Sequence, residues 1–192
     1  PTGFRGQHVY PASDFAQMVP SPGVLVQMAF RPDFTVTAPR TAVWHDFELR
    51  LSTTDSGPGS LRSVFSNNCG DDMTVVFTGD LTMSTQGTGR PNGPRPFDYV
   101  VAFQQPFVYD PSGGNLLVDF SISSLEGLSY VDAEDYGDGL TRMLYAPSPS
   151  ASVATYPGTV LSVLAFSVVP IPGDFDSELV DRHAESHHLI RG

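Results

Sequence analysis

The stretch Val43-Trp44-His45-Asp46-Phe47-Glu48-Leu49-Arg50-Leu51 alternates apolar with polar side chains along its whole length. A period of two belongs to an extended strand with one covered face, not to a helix. Val43, His45, Phe47, Leu49 and Leu51 would share the covered face. Trp44, Asp46, Glu48 and Arg50 would share the other, which predicts an exposed indole. Outward from this stretch the pattern recurs. Val24 to Phe30 precedes it, and Met73 to Met83 follows, rich in β-branched residues, with an interior Gly79 that predicts a bulge or a change of pairing. Phe97 to Phe103, Leu116 to Ile122, Arg142 to Tyr145 and Thr159 to Val169 complete the set.

The segments between them are turn-forming. Ser56-Gly57-Pro58-Gly59, Gly87 to Pro96, Asp110-Pro111-Ser112-Gly113-Gly114 and Pro147-Ser148-Pro149-Ser150 carry the Gly, Pro, Asp and Ser that tight turns use. One helical turn is expected around Ser60 to Asn67, with Leu61, Val64 and Phe65 inward. Short strands with a turn every dozen residues or so predict an all-β chain: an antiparallel β-sandwich, jelly-roll-like, with a short helical C-terminal tail. The expected organisation is a sandwich over 1–169, a Pro-rich linker over 170–173 and a tail module over 174–192.

The 192 residues hold 10 basic and 21 acidic side chains, a formal net charge of −11, and every base is arginine. That balance excludes the lysine- and arginine-rich surfaces that bind a phosphate backbone. Charged residues are 16% of the chain, too few for a long charged helix or coiled coil. No apolar run reaches the ~18–20 residues that cross a bilayer, so a soluble chain is expected. It begins at Pro1, which suggests a processed mature chain or an excised fragment. Cys69 is the single cysteine, so no internal disulfide forms.

Two acidic clusters are candidate cation sites, because a hard cation such as Ca²⁺ takes six to eight oxygens from a tight loop. In the tail, Asp174 as position 1 places Asp176 at 3, Glu178 at 5 and Glu185 at 12, with Asp181 between. These match the acidic positions of an EF-hand loop, although Leu179 stands where glycine is required. The other cluster is Asp132, Glu134, Asp135 and Asp138, where the like charges need either a cation or an arginine.

Catalytic signatures are absent. His183-Ala-Glu-Ser-His187 displaces the glutamate of the zinc-peptidase pattern by one position, and no Gly-x-Ser-x-Gly elbow or phosphate loop occurs. His8 and His45 are expected to be packed or hydrogen-bonded. Cys69 has acids rather than bases beside it, which raises a thiol pKa. Trp44, Tyr130 and Tyr136 are candidate sugar-stacking platforms.

The ordered motifs Phe30-Arg31-Pro32-Asp33, Leu51-Ser52-Thr53-Thr54, Phe65-Ser66-Asn67-Asn68, Val75-Val76-Phe77-Thr78-Gly79 and Pro106 to Asp119 together resemble a group of secreted bacterial β-sandwich proteins. Many of that group end in a Val-Pro-Glu-Pro surface-sorting signal of the PEP-CTERM type. The likeness spans residues 4 to 169 and implies an exported sandwich, but no reaction. Val169-Pro170-Ile171-Pro172-Gly173 stands in place of the sorting signal. The segment from Gly173 to Gly192 looks like half of a dockerin-type Ca²⁺ module, which implies Asp174, Asp176, Glu178 and an acid at 181 or 185 as ligands.

The expectation drawn from these observations is a secreted, non-enzymatic structural or adhesive protein of the cell surface. It would be a filament or sheath subunit stabilised by Ca²⁺, joining its own copies through sheet edges or terminal segments. The alternative is a carbohydrate-binding module with a glycan partner.

Overall fold

The computed structural model describes residues 2–15, 22–89, 93–127, 130–171 and 187–189. Among the described residues 57% are strand and 6% helical, with no helix of seven residues or more, so the all-β expectation holds. One antiparallel sheet has six strands. Its order is β4 (Thr74–Thr85), β3 (Arg40–Thr54), β6 (Asn115–Glu126), β1 (Thr2–Tyr10), β8 (Met143–Ala146) and β9 (Tyr156–Gly158). The facing sheet runs β12 (His187–Leu189), β11 (Leu164–Pro170), β2 (Gly23–Phe30) and β5 (Tyr99–Tyr109). A two-stranded ribbon, β7 (Ala133–Asp135) with β10 (Val160–Ser162), stands apart from both.

The two inner faces share one core, in which Phe30, Phe47, Leu49, Leu51, Tyr99, Tyr109 and Met28 are almost fully buried. Each large apolar side chain removed from water in this way contributes roughly 1.5–3 kcal/mol. The expected alternation in β3 fails at one place, and the failure decides where Trp44 goes. Trp44 pairs with Leu81 and Phe47 with Gly79, so two residues of β3 oppose the single Asp80 of β4. This bulge, with Asp46 at φ 48° in the left-handed region, shifts the parity of the strand. Trp44 and Phe47 therefore enter the same core, their rings 5.3 Å apart, and Trp44 is only 6% exposed. The prediction of an exposed indole is corrected. Gly79, at φ 132°, supplies the partner side of the irregularity that its position suggested.

A second layer covers the outer face of the six-stranded sheet. The segment from Asp55 to Asp72 crosses it with a 3-10 turn at Phe65–Asn68, where one helical turn was expected slightly earlier. Phe65, Leu144 and Ala146 form a small separate core there. Beneath this layer Asp119, its side chain 2% exposed, is held by Arg5 at 2.6 Å, by Arg50 at 3.3 Å and by the Gln7 amide at 2.7 Å. Asn68 in turn donates to Gln7 Oε1 at 2.9 Å, so the buried polar groups satisfy one another.

Along one side of the sandwich β4 and β5 run against each other. There β5 leaves its ladder with β2 between Ala102 and Phe107. The Gln104 side chain takes over: its Nε2 donates to Thr78 O at 2.8 Å and its Oε1 accepts from Thr78 N at 3.1 Å. The opposite side is built differently. β9 is only Tyr-Pro-Gly, and Pro157 has no N–H to offer a further strand.

The tail differs from its expected form where it is described. His187–Leu189 is extended and pairs antiparallel with Ala165–Ser167 of β11, so this end of the tail is a strand of the sandwich and not a helix. Pro170, expected in the linker, still pairs with Gly23 as the last residue of β11. The tail carboxylates Asp174, Asp176, Glu178, Asp181 and Glu185 lie outside the described residues, as does His183.

Candidate functional site

An apolar cavity of about 330 Å³ lies between the inner face of the six-stranded sheet and the β7–β10 ribbon. β1 supplies Phe4, Gly6 and His8; β3 and β6 supply Trp44 and Phe120; β2 supplies Phe30 from the facing sheet. Met143, Leu144 and Tyr145 of β8, with Val131, Ala133, Val160 and Ser162, close the ribbon side. Ala133 is exposed, which puts the mouth of the cavity at β7.

The local sequence explains the space. Gly6 pairs with Phe120 across the β1–β6 ladder, and the Phe120 ring lies over the glycine where a side chain would be. A Cβ at Gly6 would fall 2.8 Å from Phe120 Cζ, so any other residue would force this ring to shift. Phe4 makes edge contacts with Trp44 at 6.3 Å and Phe120 at 6.0 Å, and packs against Tyr145 at 5.5 Å. His8 meets Phe120 edge to face at 5.1 Å. These are ordinary separations for aromatic pairs, and they hold the wall in one arrangement.

No Asp, Glu, Lys or Arg lines the cavity, and polar atoms come chiefly from His8 and Ser162. Burial depresses the His8 imidazole to about 4, so it is neutral at physiological pH. The Tyr10 hydroxyl donates to Ser162 O at 2.7 Å and touches His8 Nδ1 at 3.5 Å. With the tyrosine proton committed to the carbonyl, Nδ1 is the donor in the longer contact. Nε2 is then left as an acceptor. Burial also raises the Tyr10 hydroxyl well above its ordinary pKa, so it remains a donor.

A second cavity, also about 330 Å³, is polar and lies at the outer layer between Thr54, Asp55, Ser56, Ser60, Arg62, Asn67, Cys69 and Gly70. Burial first, and then the nearby Asp119 carboxylate, push the Cys69 thiol up, which opposes thiolate formation. No histidine lines this cavity to act as a base.

The acidic cluster at 132–138 does not converge. Asp132 pairs with Arg31 at 2.6 Å, and Asp138 pairs with Arg142 at 2.6 Å. The Arg142 ion pair holds the Asp138 carboxyl down at about 2. Asp135 caps a turn by accepting from Gly137 N, and Glu134 is its neighbour on β7, where successive side chains point to opposite faces. Of the two neutralising partners expected for this cluster, a cation or an arginine, arginine is the one found at Asp132 and Asp138. Among the described residues no group of three or more His, Cys, Asp or Glu is placed to hold a metal ion.

The proposed stacking platforms are also rearranged. Trp44 is a wall of the apolar cavity and not a surface ring. Tyr130 is 50% exposed with Arg40 over its ring at 5.7 Å, and Tyr136 is half-buried with Arg142 over its ring at 3.9 Å. The structure does not bring the three rings together as one platform. Buried polar atoms without a hydrogen-bond partner among the described residues are Asp14 Oδ2, Tyr136 OH and Arg142 Nε.

At the surface, His45 and Asp80 sit in the β3–β4 bulge. His45 Nδ1 lies 3.0 Å from Asp80, and its Nε2 lies 3.6 Å from Glu126. The hydrogen bond to Asp80 raises the His45 pKa and outweighs desolvation. No family model, no curated protein and no solved structure matches this chain.

Proposed function

We propose that this chain is a non-enzymatic structural or adhesive protein of the extracellular surface, whose copies join through a sheet edge and the C-terminal strand. The observation that carries the reading is the pairing of His187–Leu189 with β11. β12 there completes a sheet, and a strand that completes its own sheet can complete that of a neighbour by the same hydrogen bonds. The other edges are poor partners. Gln104 bridges β4 to β5, and β9 is short and ends in Pro-Gly. On the same reading the tail carboxylates Asp174, Asp176, Glu178, Asp181 and Glu185 bind Ca²⁺.

The test is light scattering and electron microscopy of the purified full chain over a range of concentration, with and without Ca²⁺. Oligomers or filaments that dissolve when β12 pairing is blocked by His188→Pro are expected. A monomer under every condition would refute the reading.

A further inference from the structure

The geometry points to the aromatic cavity as a binding site for a small, neutral, largely aromatic molecule that carries one hydrogen-bond donor, a ligand of the phenol or indole class. Four observations select that chemistry. The volume of about 330 Å³ lies at the low end of small-molecule sites and far below what a peptide segment requires. The walls are rings, Phe4, Phe30, Trp44, Phe120 and Tyr145, whose edges and faces suit another flat ring. No side chain of fixed charge lines the space, so a charged ligand would lose its hydration with nothing to replace it. His8, finally, is a neutral ring in the wall whose Nδ1 proton is directed at Tyr10, so the atom it has left for a ligand is an acceptor. A donor on the ligand completes that pair; an ether or ketone does not.

The mouth is consistent with this size. Ala133 is the small, exposed residue at the rim, and the ribbon that carries it is tied down at one end by the Arg31–Asp132 ion pair and the Pro32–Val131 bridge. A ligand would enter past β7 without the sandwich itself opening.

Trp44 is the sole tryptophan of the chain and forms part of the wall, so its emission reports directly on occupancy. The full chain is titrated with thymol, with p-cymene, which has the same skeleton but no hydroxyl, and with 4-isopropylbenzoate, which carries a charge. Excitation is at the red edge of the indole band, where none of the three absorbs. A saturable change with thymol is expected, with p-cymene bound about five- to ten-fold more weakly for want of the hydrogen bond, and no response to the benzoate. His8→Phe removes the difference between thymol and p-cymene, and Val160→Phe, which fills the space from β10, weakens both at least ten-fold. The absence of saturable binding of thymol up to its solubility, equal affinity for thymol and p-cymene, or benzoate binding as tight as thymol would each overturn the assignment. Amide chemical shifts in the wild-type chain give a readout that does not depend on the variants folding. Thymol-induced shifts centred on Gly6, His8 and Ser162 support the site, and shifts centred elsewhere refute it.

Discussion

Acidification from pH 7.5 to pH 5 should destabilise the fold through His8 in a way that can be separated from every carboxylate. The imidazole is 4% exposed, and burial lowers it to about 4 from an unfolded value near 6.5. Above pH 6.5 neither the folded nor the unfolded chain holds the proton, and stability is at its full value. As the pH falls, the unfolded chain takes up a proton that the folded chain refuses, so stability is lost until the pH reaches the folded value. The loss then levels off. The difference of 6.5 − 4, at 1.36 kcal/mol for each unit, gives a total of about 3 kcal/mol, of which about 1.3 kcal/mol has gone by pH 5.5. Urea unfolding followed by Trp44 emission measures this for the wild type and for His8→Phe, which keeps a ring against Phe120 and cannot titrate. The two chains share all other groups, so the stability of the wild type minus that of the variant should fall with pH along this curve. A difference that stays flat from pH 7.5 to pH 5, or an NMR titration that places His8 above 6, would show that the imidazole is hydrated and that the wall is not as closed as its packing indicates.

Three further outcomes are expected. His45 should behave in the opposite sense: its raised pKa, caused mainly by the Asp80 hydrogen bond, gives stability present below pH 6.5 that is lost as the pH rises through the folded value. Asp80→Asn should lower the midpoint of the His45 resonance in an NMR titration, and an unchanged midpoint would refute the pairing. Asp119→Asn leaves Arg5 and Arg50 facing a neutral amide beneath the outer layer, and should cost about 3 kcal/mol in chemical unfolding; a loss under 1 kcal/mol would mean that the network is hydrated. Tyr136→Phe removes a hydroxyl that has no partner among the described residues but keeps the ring beneath Arg142, so stability should change by no more than about 0.5 kcal/mol or should rise. A clear loss would identify a bound water at that hydroxyl.

The strand at Val43–Leu51 was legible because its alternation is local, but the side of the sheet on which Trp44 would land was not. Parity holds only while the ladder is regular, and the two-against-one pairing at Asp80 depends on the partner strand. β1 is not legible in the sequence for another reason. Gln7, His8, Val9 and Tyr10 are all buried, because the outer layer covers one face and the facing sheet covers the other. On its inward face Gly6 and His8 stand between Phe4 and Tyr10, so no continuous apolar phase marks the strand, even though Arg5 and Gln7 alternate with them toward the outer layer. With β1 unread, the cavity was unreadable too, since Phe4, Gly6 and His8 are its contribution. The acidic loop shows both outcomes within a few residues. Arg142, four positions from Asp138, is a partner that spacing can suggest, while Arg31 reaches Asp132 from 101 positions away and only the fold reveals it.

If copies of this chain join as proposed, the Gln104 bridge and the blunted β9 set how many neighbours one molecule would hold. A body with a single joinable edge has a valence of one, and two such bodies pair face to face about a two-fold axis and stop. On the proposed reading the β12 segment changes that count: His187–Leu189, which pairs with β11 of its own chain, would be given to a neighbour while β11 receives the corresponding strand of another. A molecule that gives to one neighbour and receives from another has a valence of two with distinct ends. On that reading assemblies of this chain would be directional, and unless the rotation between neighbours closed a ring, their length would have no limit set by the subunit itself.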